Sequence, residues 1–207
     1  MRFKETGVYP HPAFPIKKEC IAMRKNFGVK SWFYPQPVLI IGTYDENSSP
    51  DAMNAAWGGL YDGNKVELCL SAGHKTTKNI RATGAFTVSF ADAANLVASD
   101  YVGLASANTE PKKMEKSGFH LTKSQFVNAP LIDELPVAME CKLIKINEDG
   151  NVIGEIVNVS ADESVLGEDG NIDFSKFRPI SFEPVHNGYH VLGERVGNAF
   201  QDGAALK

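Results

Sequence analysis

The sequence predicts a mainly β protein, a small antiparallel barrel with short helices over its openings, and three observations lead there. Apolar runs of strand length recur along the chain, among them "PVLIIGTYD" (37–45), "VELCLS" (66–71) and "FTVSFA" (86–91). In the last of these, Phe86, Val88 and Phe90 alternate with Thr87 and Ser89, the period of two that a strand imposes. Turn chemistry separates neighbouring runs by a few residues, as a hairpin requires. No helical stretch of a dozen residues alternates with the strands, which speaks against a doubly wound nucleotide-binding fold.

Taken in order, residues 1–30 read as an irregular arm, because Pro10, Pro12 and Pro15 oppose a regular ladder. Residues 31–207 read as one domain. After 37–45 comes the turn "ENSSPD", and "AMNAAWGG" (52–59) returns as a strand ending in small residues. Asp62-Gly63 then turns the chain into 66–71. Thr76–Thr83 is compact enough for a short helix, and Gly84 supplies its stop. Segments 93–103 and 108–118 are further short helices, the second opening on cap-type residues and a proline and closing on Gly118. "VAMECKLIKI" and "NVIGEIVNVSA" flank Asn147-Glu148-Asp149-Gly150, a hairpin signal, and "RPISFEP" and "GYHVLGE" add a strand and a closing segment.

Composition narrows the function. A net charge of −4 speaks against nucleic acid as a partner, and no apolar run approaches the ~20 residues that cross a bilayer, so a cytoplasmic protein with no membrane partner is expected. Cys69 and Cys141 lie in apolar runs and read as buried, inert thiols, whereas Cys20 carries no assignment. The histidines at 11, 74, 120, 186 and 190 show no metal-ligand spacing beyond the pair His186 and His190, and no metal is expected. Acidic stretches such as "DENSSPD" and "GEDGNID" read as solvated turns, and no residue is assigned as catalytic.

Two stretches carry chemistry. In "SAGHKTTKNI", Ser71, Thr76 and Thr77 offer hydroxyls, His74 a ring N–H, and Lys75 a full charge at the start of a helix, whose unpaired N–H groups favour an anion. The bland alternative is a capped helix with a solvated basic face. In "NAAWGG", the amide of Asn54, the small residues Ala55 and Ala56, and the indole of Trp57 offer a planar heterocycle a few polar groups and an aromatic wall.

With these pieces in place, the sequence resembles the flavin reductase-like, FMN-binding split β-barrel family, most closely its flavoredoxin-like branch. The matching motifs are "YPQPVLIIGTYDENSSPDAMNAAWGG", "SAGHKTTKNIRATGAFTVSF", "SDYVGLAS", "KKMEKSGF", "LPVAMECKL", "VIGEIVNV" and "GYHVLGERVGNAF", in the family's order from about residue 30 onward. The resemblance implies a homodimer with one FMN per subunit. It sets Asn54, Ala55, Ala56 and Trp57 against the ring, and Ser71, His74, Lys75, Thr76 and Thr77 around the phosphate. Lys113, in the stretch similar to the family's "DKF" triplet, would reach the flavin, although "PKKM" lets Lys112 compete and puts Met114 in place of the aromatic. Tyr189 and His190 would lie near the flavin, or simply help to close the barrel.

The function so implied is transfer of reducing equivalents from NADH or NADPH through FMN to an acceptor. Two alternatives stand beside it. One is a flavoredoxin-type electron carrier reduced by a redox partner protein. The other is a non-redox module that binds a phosphorylated ligand.

Overall fold

Leu39 and Ile41 point into one apolar cluster, and Val38 and Ile40 into another. Burial on both faces is why this run reads as continuously apolar. The computed structural model describes residues 24–207. Within them the strands are β1 (Gln36–Pro37), β2 (Leu39–Tyr44), β3 (Pro50–Ala55), β4 (Gly58–Asp62), β5 (Lys65–Leu68), β6 (Ala85–Phe90), β7 (Leu121–Lys123), β8 (Pro130–Ile132), β9 (Val137–Ile146), β10 (Val152–Ala161), β11 (Ile180–Glu183) and β12 (Gly188–Val191). The helices are α1 (Lys75–Thr83), α2 (Leu96–Leu104) and α3 (Lys113–Ser117). Ser31–Leu192 form one unit. Residues 24–30 and Gly193–Lys207 belong to a second, in which Asp202–Leu206 form a 3-10 helix. Most of the arm expected over residues 1–30 lies outside the described residues.

The principal sheet is antiparallel, with the order β3-β2-β6-β9-β10-β5-β4. Strands β3 and β4 stand at its two edges, yet only Ala56 and Trp57 join them. Two residues bridge no more than about 10 Å, so the sheet must curl until its edges meet. The single strand expected over 52–59 is therefore two strands. The corner is cut by small residues because space there is short: a Cβ on Gly58 would stand 2.8 Å from Leu68 Cδ2.

Inside the curl lie Leu39, Ile41, Val66, Leu68, Phe86, Val88, Cys141 and Val152, and Ile80 of α1 plugs one end. Fully burying a side chain the size of Ile41 or Phe86 contributes about 1.5–3 kcal/mol. Phe86 packs directly on Gly154, where a Cβ would come within 2.4 Å of its Cζ. The second cluster, which includes Val38, Ile40, Ala52, Val102, Ile132 and Ile180, covers the outer face beneath α2, β8 and β11. Gly84 ends α1 in the left-handed region (φ 70°) and bonds back to Ile80, as expected of a glycine stop.

One sequence reading of the core is corrected, and one feature is new. Strand β8 of the β7–β8 hairpin, which the sequence did not announce, packs on β6, where Thr87 and Ser89 are fully buried. Thr87 Oγ1 donates to the Pro130 carbonyl at 2.6 Å. Cys69 is exposed rather than buried, because Val66, Leu68 and Leu70 take the inward positions and leave Glu67 and Cys69 outside.

Candidate functional site

Strand β3 is the hub on which the sequence-predicted residues converge. Ala91 N–H bonds the Val38 carbonyl, so Ile40 and Gly42 turn their backbone groups toward β6. At the other end Asp45 N–H bonds Ser49 O, which leaves Thr43, Ile41 and Leu39 to bond Asp51, Met53 and Ala55. By alternation, the N–H and C=O of Ala52 and Asn54 point away from the sheet, along its edge. Pro50, which has no N–H, heads this edge strand, as is usual for proline.

Asp51 ties three elements together. Its carboxylate accepts from Thr76 Oγ1 in the first turn of α1 at 2.8 Å and pairs with Lys113 Nζ of α3 at 3.1 Å. The Lys113 and Asp51 side chains are 3% and 2% exposed, so this is a buried ion pair. Lys112, the rival left open by the sequence, points outward and pairs loosely with Glu115. A second pair stands nearby, Lys75 Nζ to Asp45 at 3.1 Å. The Ser49 N–H, with Lys75 and the Asn47 N–H adding to it, holds the Asp45 carboxyl below the usual carboxylate range. Thr77 Oγ1 donates to the Ser71 carbonyl at 2.9 Å.

Helix α1 starts at His74 with no side-chain cap, so its first-turn N–H groups are left for solvent or a ligand. Ser71, Gly73 and His74 are exposed beside them. Asn108 braces this loop, donating to the Gly73 carbonyl at 3.1 Å and accepting from Lys78 Nζ at 3.1 Å.

At the other end of β3, the Asn54 amide donates to the Ser99 carbonyl of α2 at 3.0 Å. Its oxygen remains to accept. The Tyr189 hydroxyl donates to Asp100 of the same helix at 2.8 Å, and burial, with Asp100 adding, pushes its pKa up to about 12. Close approach of α2 requires Gly103, where a Cβ would stand 2.9 Å from Asn54 Cβ. Trp57 follows with more than half its surface exposed, while Ala55 is buried and Ala56 half-buried. His190 is exposed on β12, its carbonyl accepting from Ser181.

The site therefore has two ends on one strand: an uncapped helix start held by Asp51, and an oriented amide beside an exposed indole. Thr76, Thr77 and Lys113 are gathered there with their polar groups already engaged inside the protein, and Ser71 and His74 face outward. Sequence reasoning missed Asp51, which it read as a solvated turn residue. The available signal was its place two residues before the apolar Met53, at the start of a strand rather than in the turn. An apolar cavity of about 460 Å³, lined by Phe90, Met139, Phe177 and Ile180 among others, includes none of the predicted residues.

These features define an antiparallel barrel whose candidate site is built on an edge strand. Residues 31–181 match the flavin reductase like domain, and the chain belongs to that family. Its fold is the family's split barrel. The chain is similar to the flavoredoxin of Desulfovibrio vulgaris (Miyazaki F), with 37% identity and a TM-score of 0.84 over 87% of this chain and 100% of that one. It is also similar to a flavoredoxin from Methanosarcina acetivorans, with 25% identity and a TM-score of 0.81 over 90% and 100%. An uncharacterized protein of Aquifex aeolicus is 35% identical over 74 residues, spanning 34% of this chain and 38% of that one. Among the described residues, no helix is long and apolar enough to cross a membrane.

Proposed function

We propose that this chain is an FMN-binding flavoprotein that moves reducing equivalents from NAD(P)H through the flavin to an acceptor. The observation that carries the reading is the two-ended site on β3, within a family whose model covers residues 31–181. The donor set fits the cofactor. First-turn N–H groups of α1, with Ser71 and His74, suit a phosphate. The free oxygen of Asn54, the outward backbone groups of β3 and the Trp57 indole suit a flat heterocycle with polar edges.

Bound FMN supplies the redox chemistry, and the protein supplies binding, orientation and electrostatics. The bond from the Asn54 amide to the Ser99 carbonyl fixes the amide in one orientation, so its oxygen is aimed before a ring arrives. Ala55 and Ala56 keep large side chains off the strand edge. Asp51 and Lys113 hold the two helices around the phosphate end.

A second reading, a flavoredoxin-type carrier reduced by a partner protein, draws on the 37% identity to a flavoredoxin. Anaerobic mixing of the flavin-loaded protein with NADH or NADPH separates the two. Rapid bleaching supports the reductase, and a flavin that stays oxidised until a redox partner is added supports the carrier.

The same reading makes the protein a cytoplasmic homodimer. The dimer is supported by Leu60 and Tyr61 of the edge strand β4, with Trp57 just before it, whose large side chains are 51–75% exposed. Light scattering of wild type and of Leu60→Lys tests it, with dissociation expected for the variant.

A further inference from the structure

Among the described residues, Asp51 and Lys113 form an ion pair that is almost fully buried. Sequence resemblance gives Lys113 a direct contact with the flavin. The structure gives its ammonium another partner, because Nζ lies 3.1 Å from Asp51 and the side chain is 3% exposed. We propose that Lys113 is a positioning and charge-compensating residue: it neutralises Asp51, so that this carboxylate can hold the first turn of α1 through Thr76 without repelling the phosphate of FMN. This inference rests on the flavin reading above.

Asp51 sits one hydroxyl away from the helix start, since Thr76 Oγ1 bonds it at 2.8 Å. An unpaired carboxylate there would cancel the partial positive charge that attracts an anion to a helix N-terminus. In a buried setting its repulsion would be poorly screened. The Asp45–Lys75 pair repeats the pattern at the outer side of the same turn. These four side chains sum to zero charge, so the pull on a phosphate falls to backbone N–H groups, Ser71 and His74.

The test compares affinities for FMN and for riboflavin, which has the same ring and no phosphate, by quenching of flavin fluorescence. Lys113→Met leaves Asp51 unpaired and should weaken FMN at least about tenfold more than riboflavin, a modest share of the repulsion expected between close buried charges. Adding Asp51→Asn should restore the FMN-to-riboflavin ratio toward wild type. A double variant as poor in FMN as Lys113→Met would mean that the ammonium touches the phosphate, and would overturn the proposal. So would a ratio unmoved in Lys113→Met.

If Lys113→Met does not fold, Asp51→Asn alone decides. It leaves the ammonium uncompensated and should raise the ratio above wild type, with the double variant returning it; an unchanged or lower ratio contradicts the proposal. A merely structural pair would weaken both ligands alike. Wild-type protein that binds neither flavin overturns the flavin reading and this inference together, whereas wild type that binds FMN with the wrong variant pattern overturns this inference alone.

Discussion

Among the described residues, Asp51 and Glu140 are carboxylates buried almost completely, and the protein treats them differently. Asp51, 2% exposed, receives a full cation from Lys113 and a hydroxyl from Thr76. Glu140 on β9, 1% exposed, receives only neutral donors, the hydroxyl of Ser124 and the amide of Asn158 at 2.6 Å. Ser124 Oγ also accepts from the N–H groups of Phe126 and Val127, so Glu140 pins the loop between β7 and β8. Neutral hydrogen bonds suffice where the task is to fasten one loop. A cation is added where three elements meet and an anion is proposed to arrive. On the opposite, inward face of β9, burial, with Glu140 adding, pushes the Cys141 thiol up to about 12, which keeps it unreactive at neutral pH.

The largest effect expected is at the charged pair. Lys113→Met strands a buried carboxylate and should cost about 3–5 kcal/mol in chemical denaturation, while Asp51→Asn/Lys113→Met recovers most of it. A single variant as stable as wild type would break the contrast drawn here. Glu140→Gln comes next. It replaces charge-assisted bonds with neutral ones and should cost about 1–3 kcal/mol with FMN retention unchanged. Flavin loss in that variant would show that the two regions are not independent.

Ser99→Ala should be smaller still. The Ser99 hydroxyl is buried with no partner, so its removal should change stability by less than about 1 kcal/mol, and in the stabilising direction. A clear loss in thermal denaturation would mean that this hydroxyl is satisfied.

The exposed pair of His120 with Glu134 completes the series. Its hydrogen bond to Glu134 raises the His120 pKa. Burial alone would raise Glu134, but its hydrogen bonds to His120 outweigh that and hold it low. The histidine contribution is complete below its ordinary pKa of about 6.5 and fades as pH rises through the higher folded value. The glutamate contribution is present above the ordinary carboxylate range and is lost as pH falls through its lower folded value. His120→Ala should therefore separate from wild type in stability more at pH 6 than at pH 9. Equal differences at both would remove the pair from the account.

Much of the fold was legible in the sequence because its signals are local. The alternation of Phe86, Val88 and Phe90, the turn at Asn147–Gly150 and the stop at Gly84 each act within a few residues. The break at Ala56 and Trp57 was not legible, since it arises only when the sheet curls and its edges meet. The exposed Cys69 follows from which face of β5 and its extension turns inward, and an apolar run does not declare that. At the site, the residue types were readable but their partners were not. Thr76 and Lys113 lie on segments that look like surface helices, and only the fold brings Asp51 between them. The same long-range pairing hid Glu140, which stands in an apolar run and is matched by residues 16 and 18 positions away.

The central claim is that the two-ended site on β3 holds FMN. The direct measurement is the visible absorption spectrum of the purified full chain after FMN is added and the excess removed by desalting. The account predicts a retained two-band flavin spectrum at close to one FMN per subunit, lost when riboflavin replaces FMN at the same concentration. A folded protein that emerges colourless would contradict it.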